Sequence, residues 1–146
     1  MGELPTGTVT FLFTDIEGST RSWQEKPEAM AISHARHDEI LREAIESNHG
    51  YILQIIGDAF CAAFHNAVDG LRVVLTAQRG LHQQTSEDSE TSEVLTLHIR
   101  MGLHTGTAEI LPDGKYEGCA TLASMQHVVS AAHGGQTFLT QTTYNL

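Results

Sequence analysis

Two aspartates stand where carboxylates are rarely left without a task. Asp15 closes the apolar run "TVTFLFTD" and is followed at once by the small-residue stretch "EGST". Asp58 sits in "IIGDAF", between two further apolar runs. Two carboxylates brought close together repel, and one is driven toward its protonated form unless a cation lies between them. A hard, oxygen-seeking ion, Mg²⁺ or Mn²⁺, is the natural occupant, held by carboxylates, a backbone carbonyl and substrate phosphates. The rest of the first stretch suits a phosphate. "IEGST" leads into a predicted helix start whose free N–H groups favour an anion, and Gly18 lets the backbone come close to it. Glu17 must then point away. The chemistry this pattern suggests is metal-assisted handling of a phosphorylated ligand.

That chemistry requires elements that bring Asp15 and Asp58 together. Residues Thr8 to Phe13 are β-branched and aromatic and predict a buried strand. Ser19 or Thr20 is placed to cap a short helix through Trp23, and Pro27 opens a longer one. Met30, Leu41, Ala44 and Ile45 form the longer helix's apolar stripe, with Gly50 as its stop. Tyr51–Ile56 and Ala59–Phe64 read as two strands joined by the tight turn Gly57-Asp58. Asn66 caps a helix carrying Val68, Leu71, Val74 and Leu75, which runs to about Gln83, and the acidic stretch Thr85 to Val94 reads as a solvated loop. Strands are expected at Leu95–Leu103 and Thr107–Leu111, a helix around Leu122, Met125, Val129 and Ala132, and a last strand at Thr137–Thr140. The order β-α-α-β-β-α-β, then β-α-β, is an α+β fold, a ferredoxin-like βαββαβ core with added strands and helix. In that plan the end of the first strand lies beside the tip of the central hairpin, and the two aspartates meet.

Composition narrows the ligand. The 146 residues are 40% hydrophobic and 18% charged, which suits one globular domain, and the net charge is −10. Such a chain gains nothing from long-range attraction to a polyanion, so nucleic acid is not an expected partner. A small phosphorylated ligand arriving with divalent cations remains open, because the metal inverts the local charge logic. The two cysteines, Cys61 and Cys119, lie in apolar contexts without CxxC spacing and read as reduced thiols of a cytoplasmic protein. No apolar run approaches a membrane span, and the N-terminus has no basic region of a secretory signal. His34 and His37, three residues apart on a predicted helix, have a spacing that could serve zinc, but no third ligand is evident, and both are expected to be solvated or half-buried. His104 reads as structural.

"FLFTDIEGST", "IIGDAFCAAF", "IRMGLHTG", "GKYEG" and "SAAHGGQTFLTQTT" resemble, in order and spacing, the catalytic domain of class III adenylate and guanylate cyclases, the soluble bacterial type in particular. The resemblance spans about Thr8 to Thr143. It implies one cyclase homology domain over residues 1–146, shortened at its C-terminus, and a head-to-tail dimer with sites at the interface, either a homodimer or a heterodimer with another cyclase domain. The implied reaction converts a nucleoside triphosphate, ATP or GTP, to a 3′,5′-cyclic nucleotide and pyrophosphate with two Mg²⁺ or Mn²⁺ ions. Asp15 and Asp58 match the family's metal pair, the Ile16 carbonyl a further ligand, and Ile16, Glu17, Gly18, Ser19 and Thr20 its phosphate loop. The family's base-selecting positions fall on Gln54 and Lys115, and its ribose- and transition-state-stabilising asparagine and arginine on Leu122 and Gln126. None of these four has the family's usual side chain. The resemblance therefore implies a full metal half and a depleted second half, hence a cyclase weak or inactive alone, a regulatory nucleotide-binding module, or the metal-supplying half of a heterodimer. A diguanylate cyclase is disfavoured by the missing Gly-Gly-Asp/Glu-Glu-Phe motif, and an RNA-recognition domain by the acidic charge and missing strand aromatics.

Overall fold

The computed structural model describes residues 4–88, 97–110, 112, 116–117 and 137–139. The elements are β1 (Gly7–Ile16), α1 (Ser19–Glu25), α2 (Pro27–Ser47), β2 (Tyr51–Ile56), β3 (Ala59–Phe64), α3 (Ala67–Asp88), β4 (Ile99–Ile110), β5 (Tyr116–Glu117) and β6 (Thr137–Leu139). The sheet runs β2-β3-β1-β4-β5, antiparallel between each of these neighbours, and β6 adds to β4 in parallel. The order β2-β3-β1-β4 is the ferredoxin-like plan expected from the sequence. The last expected helix, around Leu122 to Ala132, lies outside the described residues, as does Cys119. Among the described residues no helix is long and apolar enough to cross a membrane.

Strand alternation sorts β1 onto two faces. Leu12 and Ile16 join Phe60, Phe64, Met101 and Leu103 beneath α2 and α3 in the larger core. Val9 and Phe11 pack with Ala63, Ala108 and the partly buried Phe13 and Leu53 in a second cluster. Helix α2 buries Met30, Ser33, His37, Leu41, Ala44 and Ile45, so the predicted stripe holds. His37 lies inside that stripe and is fully buried, edge-on to Phe60, which corrects its reading as solvated or half-buried. Its heptad distance from Met30 was the signal.

Several local expectations are revised. The predicted strands Leu95–Leu103 and Thr107–Leu111 are one strand, because "GLHTG" does not break it. Gly102 and Gly106 stand opposite Phe13 and Val9, where a missing side chain makes room for a large one. Between them the buried Thr105 hydroxyl shares a 2.9 Å hydrogen bond with that of Thr10. Helix α3 turns a different face inward than its large apolar residues suggest. Val68, Leu71 and Leu75 are exposed, while Val73, Val74, Ala77 and Leu81 are buried. The cause is Gly70: a Cβ there would lie 3.1 Å from Leu103, so the helix approaches the sheet through its small residues. The Asn66 cap holds, with its side-chain oxygen accepting from the Asp69 N–H at 2.9 Å. With no proline to stop it, α3 continues through Asp88 into the stretch read as loop.

The end of α2 is also built differently. His49, at φ 62°, takes the left-handed position expected of Gly50. Gly50 donates its N–H to the Ile45 carbonyl at 2.9 Å, and a Cβ on it would come within 2.4 Å of the Phe64 ring and 2.8 Å of Ile45. The glycine is demanded by close approach, not by backbone angle. Gly50→Ala should therefore destabilise by about 1–3 kcal/mol through overpacking. His49→Gly, which relieves an unfavourable left-handed side chain, should stabilise by roughly 1 kcal/mol. Denaturant midpoints of the two variants should move in opposite directions, and equal shifts would contradict this account of the α2–β2 corner.

Candidate functional site

β1 and β3 pair with Thr14 opposite Phe60, so continuing the register two residues sets the hairpin tip at Asp58 level with Ile16. Gly57, at φ 57°, makes the tight turn that presents Asp58 there. Asp15, Ile16, Gly18, Ser19, Thr20, Asp58, Ala59 and Arg100 line one cleft of about 340 Å³. The structure thus brings together both aspartates and four of the five residues of the expected loop.

Glu17 is absent from this lining, and its N–H is spent on the His98 carbonyl at 2.9 Å, which extends the β1–β4 ladder past Ile16. β1 itself runs to Ile16, so Asp15 lies within the ladder, not beyond it. Gly18, not Ser19 or Thr20, caps α1; it sits at φ 67°, ψ 24°, and no side chain caps the first turn. That left-handed corner is open to glycine at little cost and leaves the backbone bare toward the cleft. Gln54 is exposed on the outer strand β2, next to a register shift against β3, and does not line the cleft. Lys115, Leu122 and Gln126 lie outside the described residues.

Two contacts of the aspartates were not anticipated. Arg100 stands directly across from Asp15 in the β1–β4 register. Its Nε donates to Asp15 Oδ1 at 2.6 Å and its Nη2 to Oδ2 at 2.8 Å, a two-pronged pair of partly buried groups. The ten-residue register that fixes this pairing could not be read from spacing alone. His34 reaches from α2, with Nε2 3.0 Å from Asp58 Oδ1. Both aspartates therefore sit against a nitrogen base or cation of the chain itself, one from β4 and one from α2. The two carboxylates supply the oxygen donors a divalent ion needs, and Arg100 and His34 compete with it for them. Asp15 and Asp58 would hold such an ion, with the Ile16 carbonyl on the same cleft wall.

Below His34 lies His37, whose Nδ1 is 3.0 Å from Asp38 Oδ1 and whose Nε2 has no hydrogen-bond partner. Burial pushes its pKa below the ordinary histidine value, although Asp38 pulls the other way. Cys61, on β3, is a buried free thiol whose pKa is pushed up to about 12 by desolvation, so it is inert at neutral pH.

The sequence profile of the adenylate and guanylate cyclase catalytic domain matches residues 2–146. An uncharacterized protein of Mycobacterium tuberculosis is 38% identical over 145 residues, which cover 97% of this chain and 46% of that protein. The chain thus spans less than half the length of that relative. Among solved structures, one from a study of adenylate cyclases of Trypanosoma brucei in their monomeric state superposes with a TM-score of 0.79 at 23% identity, covering 99% of this chain and 76% of that one. The guanylate cyclase domain of RhGC from Catenaria anguillulae, in complex with GTP, gives 0.74 at 19% identity, with 95% and 81% covered. At these identities the structural likenesses speak to the fold.

The buried imidazole of His37 has a consequence for acid stability. Because its folded pKa is depressed, the unfolded chain binds more protons below the ordinary histidine value of about 6.5, and stability falls as pH drops through that range. Melting temperature should decline from pH 7.5 to pH 5. In His37→Leu the slope should be shallower than in the wild type. An unchanged slope would mean that other groups carry the whole acid response.

Proposed function

Because the chain belongs to the adenylate and guanylate cyclase catalytic domain family, we propose that it binds ATP or GTP with Mg²⁺ or Mn²⁺ in the Asp15–Asp58 cleft. It supplies the metal-binding half of a composite site that converts the triphosphate to a 3′,5′-cyclic nucleotide and pyrophosphate. The observation that carries this reading is the meeting of two carboxylates beside the Gly18 corner in one cleft. Asp15, Asp58 and the Ile16 carbonyl hold the cations, two in the full site. When bound, the metal lowers the pKa of the ribose 3′-hydroxyl and offsets the charge of the triphosphate. The chain's own task is to hold two carboxylates aimed into the cleft. Arg100 and His34 do this before the ion arrives, because each contacts one aspartate from a different element. The bare backbone at Gly18, with Ser19 and Thr20, lies against the phosphates.

The second half of the reaction falls to another cyclase domain. Gln54, Lys115, Leu122 and Gln126 take the family's base-selecting and stabilising positions by sequence, and none brings the expected function. Leu122 cannot hydrogen-bond a ribose, and Gln126 cannot neutralise charge on the transferring phosphoryl group. Loss of one such stabiliser costs on the order of 10²–10³ in rate. The exposure of Gln54 on β2, away from the cleft, favours a two-chain site over one completed within a single domain. A homodimer then turns over poorly, and a partner with intact stabilisers completes one site per pair.

Mn²⁺ with ATP or GTP should raise the melting temperature by mass action, about 2.7 kcal/mol of added stability near 100 times Kd. Asp15→Asn and Asp58→Asn should each abolish the increment, whatever they do to the ligand-free melting point. A full increment in either variant removes that aspartate from the site. Mixing the wild-type chain with a cyclase domain whose own metal aspartates are replaced by alanine should produce cyclic nucleotide where neither does so alone. Association without product would rule out the composite site.

A further inference from the structure

His34, His37 and Asp38 occupy one turn of α2 at spacing i, i+3 and i+4, and one ligand atom from each lies within 4.8 Å of the others. The geometry points to a transition-metal site of the zinc type here, separate from the nucleotide cleft but joined to it through the His34–Asp58 contact. The missing third ligand for the two histidines is the residue beside the second one.

The tautomers favour it. His34 Nε2 faces Asp58 Oδ1 at 3.0 Å, so in the neutral ring the proton sits on Nε2 and Nδ1 presents a lone pair. That lone pair looks toward Asp38 Oδ2 at 3.7 Å, too far for a good hydrogen bond. The other Asp38 oxygen is 3.0 Å from His37 Nδ1. The two contacts use different oxygens of one carboxylate, so the three ligand atoms, all within 4.8 Å of one another, would close toward the edge of about 3.3 Å expected between N and O ligands of a tetrahedral zinc ion. Two imidazoles and a carboxylate suit zinc and its neighbours better than Mg²⁺. The outer contact is also in place. A metal-bound histidine ordinarily gives its other N–H to a carboxylate, and Asp58 is already there. His37 is fully buried, and its Nε2 has no partner. Metal on Nδ1 would move the ring proton to Nε2 with no net release. Entry is through His34 and Asp38, whose side chains are 20% and 30% exposed.

Occupancy would reach the nucleotide cleft. A cation on His34 Nδ1 makes its Nε2–H a stronger donor, so Asp58 is held more firmly, and a second cation on Asp58 is repelled. This coupling, though not the site, rests on the triphosphate reading. Zinc should therefore oppose loading of the cleft.

Trp23 is the chain's only tryptophan, and its ring lies 5.6 Å from His34, which gives a local probe. Titration of the ligand-free protein with Co²⁺ should quench Trp23 and give the visible absorption of a four-coordinate ion at one equivalent; Zn²⁺ should displace it. His34→Gln and Asp38→Asn, both at partly exposed positions, should each weaken Co²⁺ and Zn²⁺ binding by about tenfold or more, with unchanged circular dichroism. Asp15→Asn should leave both intact. In a second arm, Zn²⁺ should raise the Mn²⁺ concentration needed for the nucleotide-dependent melting increment in wild type but not in Asp38→Asn. Unaltered affinity in both α2 variants, or its loss in Asp15→Asn, overturns the site. Tight zinc binding on α2 without effect on the increment overturns the coupling alone. Absence of any nucleotide increment without zinc overturns the triphosphate reading and leaves the metal site standing.

Discussion

Ten consecutive residue pairs lock β1 to β4, from Gly7 opposite Ala108 to Ile16 opposite Ile99. This register is the constraint on which the site depends. Side chains alternate across a strand, so a slip of one residue would send Asp15 into the core beneath α2 and leave Ile16 in the cleft. Three kinds of contact hold it. Glycines face large residues at Gly102–Phe13 and Gly106–Val9, and the Thr10 and Thr105 hydroxyls bond each other in the interior. At the end, Arg100 grips both oxygens of Asp15. The last contact joins fold and function: the carboxylate assigned to the cation is also the one that fixes the strand's terminal pair.

Legibility in the sequence followed the range of each interaction. The strand order, the Gly57-Asp58 turn and the α2 stripe are local patterns of period and turn chemistry, and they were readable. So was the meeting of Asp15 with Asp58, because the βαββ plan brings them together once the elements are assigned. The errors arose where tertiary contact overrode local preference. "GLHTG" looks like a break, but its glycines stay in the ladder, opposite Phe13 and Val9. In α3 the large apolar residues suggested the buried face, yet Gly70 and the small residues win because the helix lies close to Leu103. His49 takes a left-handed angle because Gly50 is already required by Phe64. The contacts of Arg100 with Asp15 and of His34 with Asp58 could not be read, since each is made only through a long-range register or helix packing. The four positions of the second half-site were named by family likeness alone, and three of them lie outside the described residues.

Electrostatics explains why an acidic chain tolerates such a site. At a net charge of −10, two neighbouring carboxylates add local repulsion to an already unfavourable background. The fold answers with one nitrogen partner per aspartate, drawn from different elements. Arg100 belongs to the sheet and is held by the ladder, whereas His34 belongs to α2 and leans on Trp23. The two are therefore unequal. Arginine remains charged at any physiological pH and matches a carboxylate with two parallel donors, while a histidine contributes one donor from a partly exposed ring.

That inequality orders the two aspartates. An incoming divalent ion must displace or share the partner of each carboxylate, and the cost is greater where both oxygens are already bonded. Asp15, gripped at 2.6 and 2.8 Å, is the more strongly committed; Asp58, with one contact at 3.0 Å, leaves an oxygen available. Under the proposed function, Asp58 would be the easier point of first capture, and Asp15 would follow once a phosphate offered Arg100 an alternative anion. Metal and triphosphate would thus favour each other's binding without any large rearrangement, because the group released by one is a donor for the other. Under the same proposal, control of the cleft would lie on the Asp58 side, at His34 and the α2 turn beneath it, since the looser of two contacts is the one a modest change in its surroundings can shift.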